Sequence, residues 1–165
     1  RASFQLGATG EDFHLSTGIA KQSETVVTFE LPAVATTFGI SIGSVNCSVD
    51  YVPPQHVQVY EVHVSCGSLK DLLRLTPGEK AVELRVFADA TFIEAYFQRG
   101  RVAMIEVAPL NDDAHGALVS TGPLKVMHAV VYPMRSIWVQ PEDVRNAPRV
   151  YPAITGADSS ETVFM

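Results

Sequence analysis

Several short patterns in this sequence have the residue types that chemistry requires. Gly39-Ile40-Ser41-Ile42-Gly43 spells the Gly-x-Ser-x-Gly string that exposes a nucleophilic serine when it forms a strained strand-to-helix turn. Ile40 and Ile42 are β-branched and favour extended chain, and the following Ser44-Val45-Asn46-Cys47-Ser48 is no helix, so the string reads as a strand with one polar face. Asp89 and Glu94 offer a pair of carboxylates, which glycosidases use when the two groups stand about 5 to 10 Å apart. Turn residues lie between them. The plainer reading is that Asp89 bonds turn backbone while Glu94 answers a cation such as Arg85 or Arg101. His14, His56, His63, His115 and His128 show no ligand spacing, and His63 and Cys66, three apart, would face opposite sides of a strand, so no metal site is expected. Asn111-Asp112-Asp113 lacks the rest of a calcium loop and reads as a plain loop. Tyr51, Tyr60, Tyr96 and Trp138 are candidates for stacking on sugar rings, although core packing has the first claim on large aromatics. With no phosphate loop and no dinucleotide fingerprint, no cofactor is implied.

The elements that must position these residues are strands. Short alternating or continuously apolar runs are broken by Gly, Pro, Asn and Asp every ten or so residues, which predicts an all-β fold: two antiparallel sheets in a sandwich of jelly-roll or lectin-like type. Strands are expected at Thr25–Leu31, Thr36–Ile42, Val57–Val64, Val82–Ala88, Phe92–Gln98, Arg101–Ala108, Leu118–Ser120 and Leu124–Tyr132, the last continuing to Trp138. Ser68–Leu75 has leucines at helical spacing but stops at Thr76-Pro77-Gly78 after barely two turns, and is read as a strand. In the central meander Leu84, Val86 and Ala88 take one face and Arg85 and Phe87 the other. Ile93, Ala95 and Phe97 then alternate with Phe92, Glu94 and Tyr96. Residues 1–139 are expected to form the sandwich and residues 140–165 an irregular tail lying on the surface or partly disordered.

Composition narrows the partners. Of 165 residues, 47% are hydrophobic and 18% charged, enough apolar surface for a substantial core. Lys and Arg number 12 against 18 Asp and Glu, a net charge of -6, so neither nucleic acid nor an anionic membrane is an expected partner. No apolar run reaches the roughly 18 residues that span a bilayer. Arg1–Thr9 has none of the regions of a secretory leader, which leaves a cytosolic chain, a fragment or a processed form. Cys47 and Cys66 are too few for a disulfide framework, and a single bridge between neighbouring strands stays open. Asn46-Cys47-Ser48 is an N-glycosylation sequon in a polar, turn-like stretch, modified only if the chain is secreted.

Leu84-Arg85-Val86-Phe87-Ala88-Asp89-Ala90-Thr91-Phe92-Ile93-Glu94-Ala95-Tyr96-Phe97, followed by Gly100-Arg101, resembles the strand-turn-strand segment of the C-terminal β-sandwich module of invertases, fructanases and related glycoside hydrolase family 32 enzymes. That segment reads leucine-arginine-valine, aspartate, a basic residue, serine, then glutamate, an aromatic and a glycine; Asp89, Thr91, Glu94, Phe97 and Gly100 fit it. Phe29-Glu30-Leu31 and Phe38-Gly39-Ile40 are similar to the module's early strands, and Leu124–Trp138 to its closing strand. Ala90 departs from the pattern, as does Ala103-Met104-Ile105-Glu106-Val107, which lacks the usual threonine-serine-arginine strand. In that family a separate five-bladed propeller carries the nucleophile, the stabilising aspartate and the acid/base glutamate, and none of the three motif strings occurs in this sequence.

The resemblance implies a non-catalytic module that stabilises a catalytic propeller, with a free-standing carbohydrate-binding sandwich as the alternative. Asp89, Glu94 and Gly100 would then be structural, and no residue of this chain catalytic. The implied partners are the propeller domain or a second copy of the chain, with fructose-containing glycans as ligands. The implied location is secreted, vacuolar or lumenal, with a cytoplasmic one left open.

Overall fold

The computed structural model describes residues 4–6, 20–55, 59–134 and 140–148. Eleven strands follow one another along the chain: β1 (Phe4–Leu6), β2 (Gln22–Glu30), β3 (Thr36–Ile42), β4 (Val45–Tyr51), β5 (Tyr60–Cys66), β6 (Leu69–Leu75), β7 (Ala81–Asp89), β8 (Phe92–Phe97), β9 (Val102–Val107), β10 (Gly116–Ser120) and β11 (Leu124–Pro133). They form two antiparallel sheets, a six-stranded one ordered β1-β11-β2-β7-β8-β9 and a five-stranded one ordered β10-β3-β4-β5-β6. This is the all-β sandwich expected from the sequence.

The core lies between the sheets and follows from period-2 alternation. Val82, Leu84, Val86 and Ala88 of β7 and Ile93, Ala95 and Phe97 of β8 are buried, while the residues between them are half-exposed on the outer face. Phe29 of β2 meets Phe38 of β3 across the interior, ring centroids 5.0 Å apart. In β11 the register shifts between Val126 and His128, a β-bulge that lets Leu124 and Val126 point inward and then resets the phase so that Ala129 and Val131 pack on the core.

Three sequence expectations change. Asn46 is not in a turn: Val45–Tyr51 is a strand, with Val45, Cys47, Val49 and Tyr51 buried and Asn46 and Asp50 exposed. The last expected strand ends at Pro133, and Trp138 lies outside the described residues. Within the stretch expected to be irregular, Pro141–Asn146 forms a short helix, α1, with every residue exposed. Pro141 opens it with a preset φ, Glu142 and Asp143 favour the positive end of its dipole, and Asp143 Oδ2 accepts from Gln140 N at 3.3 Å. The sandwich belongs to the unit Arg1–Arg135 and α1 to a second unit, Ser136–Met165.

Gly39-Ile40-Ser41-Ile42 is strand β3, paired in register with β4. Gly39 is glycine there for a packing reason: a Cβ would stand 2.7 Å from Ser48 Cα on the neighbouring strand. The string therefore serves strand approach and not a nucleophile turn.

Thr25 points into the core from the centre of β2, 1% exposed, and its hydroxyl has no hydrogen-bond partner among the described residues. An unsatisfied buried hydroxyl costs about 1–3 kcal/mol, and valine keeps the β-branched shape. Thr25→Val is expected to raise stability by about 1 kcal/mol in urea denaturation; an equal loss would mean that the hydroxyl is satisfied in solution.

Candidate functional site

The outer face of the β7–β8 hairpin gathers three of the candidate side chains, Asp89, Glu94 and Tyr96. Glu83, Arg85, Phe87 and Asp89 project from β7, and Phe92, Glu94 and Tyr96 from β8, with Asp89 opposite Phe92 and Phe87 opposite Glu94. Phe87 and Tyr96 pack edge to face, ring centroids 5.9 Å apart at 89°. The Tyr96 hydroxyl donates to Glu94 Oε2 at 3.1 Å, which holds the phenol in its protonated form and raises its pKa. Arg85 Nη1 lies 3.0 Å from Glu24 Oε1 on β2. Asp89 Oδ1 accepts from Gln22 Nε2 at 3.0 Å. Between these groups and the β8–β9 turn lies an open depression of about 500 Å³, lined by Glu83, Arg85, Phe87, Tyr96, Arg99 and Gly100.

These partners differ from the expected ones. Asp89 bonds a side chain from β2, not its own turn, and Glu94 takes the Tyr96 hydroxyl. The cations named for Glu94 are engaged elsewhere, Arg85 with Glu24 and Arg101 with Glu79. Asp89 and Glu94 do share a face as diagonal neighbours, a spacing compatible with a carboxylate pair. Both are half-exposed and both accept from neutral donors.

The turn beside the depression is unusual in its backbone. Gln98, Arg99 and Gly100 have φ of +47°, +59° and +85°, the left-handed region that costs a non-glycine residue about 1–2 kcal/mol. A network around Gln98 holds it. Gln98 Oε1 accepts from Glu83 N at 2.9 Å, while its Nε2 donates to Glu79 Oε1 at 2.8 Å and Ala81 O at 3.3 Å. Arg101 donates both guanidinium nitrogens to Glu79 at 2.8 and 2.7 Å, and Thr76 N donates to Glu79 Oε2 at 2.7 Å. The guanidinium is the main reason the Glu79 carboxyl is held down to about 2, with burial opposing. The same pairing raises the pKa of Arg101. Sequence reading missed Glu79, Gln98 and Glu83, since nothing in the local pattern of Pro77-Gly78-Glu79-Lys80 shows that the topology brings this loop to the β8–β9 turn.

The remaining candidates take other places. Tyr51 and Tyr60 form an edge-on pair with centroids 6.2 Å apart and hydroxyls 3.4 Å apart; burial first, then Tyr51, raises the pKa of Tyr60. Asp112 is answered by Lys21 Nζ at 2.7 Å. Cys47 and Cys66 are direct cross-strand partners on β4 and β5 and form a disulfide in the core. Asn46, next to the bridge, faces outward from β4.

No family model matches the chain, and no curated protein does. Among solved structures, fructan 1-exohydrolase IIa from Cichorium intybus in complex with 1-kestose has the same fold, with a TM-score of 0.63 at 14% identity over 82% of this chain and 36% of that one. A second structure of that enzyme gives 0.61 at 13% identity. A polysaccharide lyase of family 18 gives 0.50 at 10% identity over 79% of this chain and 87% of that one. At such identities the likeness is one of fold. The chain spans about a third of the fructan exohydrolase, 36% of its length.

The Glu79 carboxyl sets an acid limit on this corner. Its folded pKa of about 2 lies below the usual 4.5, so the pair's contribution is full above about pH 4.5 and is lost as pH falls toward 2. Glu79→Gln is expected to be less stable than the parent at pH 6, with the gap closing between pH 4.5 and 2 in urea unfolding curves. A gap that stayed constant down to pH 2 would contradict the pairing.

Proposed function

We propose that this chain is a non-catalytic β-sandwich module of a sucrose- or fructan-active glycoside hydrolase, stabilising a separate catalytic propeller. The observation that carries the reading is the coincidence of two likenesses. The fold covers most of this chain and only about a third of a fructan exohydrolase, and the sequence segment that resembles the family 32 module is the β7–β8 hairpin of the six-stranded sheet. Asp89, Glu94 and Gly100 are then structural: Asp89 ties β7 to β2, Glu94 fixes Tyr96, and Gly100 supplies the last left-handed residue of the turn.

The surface that a propeller would cover is the outer face toward the Ala90-Thr91 end of the hairpin. Val107 and Ile105 stand 78% and 60% exposed on edge strand β9, opposite Phe92 and Glu94. Apolar side chains so exposed in a row are unusual on an isolated domain and suit a contact with another body. The buried Cys47–Cys66 bridge and the outward Asn46 sequon support a secreted or lumenal location, where disulfides persist and sequons are modified.

Fructose release from sucrose and 1-kestose tests the reading. The purified chain is expected to release none, and the full product of its gene is expected to be active, with Val107→Asp lowering the melting temperature of that full product. Hydrolysis by the chain alone, lost in Glu94→Gln, would overturn the non-catalytic role. A full gene product without fructosidase activity would overturn the hydrolase assignment.

A further inference from the structure

We infer that the depression beside the β8–β9 turn is a binding subsite for a neutral saccharide. Its volume of about 500 Å³ falls within the range of small-molecule sites. Its lining includes an aromatic pair whose geometry is already fixed: the Tyr96 hydroxyl is held by Glu94, and the Tyr96 and Phe87 rings stand edge to face, centroids 5.9 Å apart. A ring locked in this way presents an apolar surface to the C–H face of a sugar with little ordering cost on binding. Around it stand Arg85, Glu83 and Arg99, planar groups with donors and acceptors left over for ring hydroxyls.

Charge decides the ligand class. Arg85 is paired with Glu24 at 3.0 Å, and Arg99 Nε lies 3.9 Å from Glu83 Oε2. Each cation therefore comes with its own carboxylate, and Glu94 adds a further negative charge beside Tyr96. The surplus of carboxylates disfavours an anionic sugar, whereas a neutral polyol can bond to carboxylates and guanidinium groups alike. Arg99 stands at the rim as the middle residue of the left-handed turn, φ +59°. The inference concerns the chain itself and does not rest on its attachment to a hydrolase.

The test is a calorimetric and NMR titration of the purified chain with 1-kestose, cellotetraose, xylotetraose and, as the anionic control, tetragalacturonate. At least one neutral oligosaccharide is expected to bind with Kd on the order of 1 mM or tighter, with chemical-shift changes at Phe87, Tyr96 and Arg99. Arg99→Gly is expected to weaken binding at least tenfold while the melting temperature stays level or rises, and Tyr96→Phe, which keeps the ring but releases Glu94, to weaken it less than Tyr96→Ala. Absence of binding by every neutral sugar, binding by tetragalacturonate alone, or affinity indifferent to both Arg99→Gly and Tyr96→Ala would overturn the assignment. Because fructosidase activity is not the readout, such a failure would leave the hydrolase-module reading standing, and the reverse also holds.

Discussion

The pleat of the β7–β8 pair is the constraint on which the rest of the sandwich depends. A slip of one residue would carry Glu83, Arg85 and Asp89 into the core and turn Leu84, Val86 and Ala88 out of it. Burying charges without partners costs several kcal/mol per ion, against a total stability of about 5–15 kcal/mol for a domain. Only one register survives that arithmetic. It fixes the outer face along with the inner one, because Ile93, Ala95 and Phe97 cannot pack inward without presenting Phe92, Glu94 and Tyr96 outward. The depression is thus built on a hairpin whose register its buried row fixes.

Around this centre, polar side chains join parts of the chain that the ladders do not. Glu106 on β9 accepts from Ser68 N and Oγ at 3.0 and 2.9 Å, linking the edge of the six-stranded sheet to the β5–β6 turn of the other. Gly67 in that turn has φ +59°, and a Cβ there would stand 2.6 Å from Glu106 Cγ, so the tie requires glycine on both conformational and steric grounds. Glu79 plays the matching part at the other end of β9, where Arg101 and Gln98 converge on it and Arg101 also reaches Arg74 O at 3.1 Å. Each tie is made by a carboxylate with several donors, an arrangement that tolerates partial exposure better than a lone ion pair.

What was legible in the sequence was whatever the two-residue period controls. The inward and outward rows of β7 and β8 read directly from apolar alternation. β4 was misread because its outward residues, Asn46, Ser48 and Asp50, are turn formers; its inward row of Val45, Cys47, Val49 and Tyr51 was the stronger signal. The helix α1 is only six residues long, too short for a periodic pattern, and its cues are confined to its first turn. Partners were legible least of all. Gln22 reaches Asp89 across 67 positions of sequence, and Arg101 reaches Glu79 across 22, separations that only the sheet order explains.

The same geometry bears on whether this face is suited to turnover or to recognition. Hydrolysis of a glycosidic bond asks for a dry cleft in which two carboxyl groups differ in their hold on a proton. The β7–β8 face is open, its guanidinium groups are matched with carboxylates, and Asp89 and Glu94 each serve as acceptors that position a neighbour. The proposed saccharide subsite asks instead for a fixed apolar surface and spare hydrogen-bonding capacity on a rigid support. Phe87 and Tyr96 would supply the first, the Arg85–Glu24 pair and the Arg99–Glu83 contact the second, and the sheet beneath them the support.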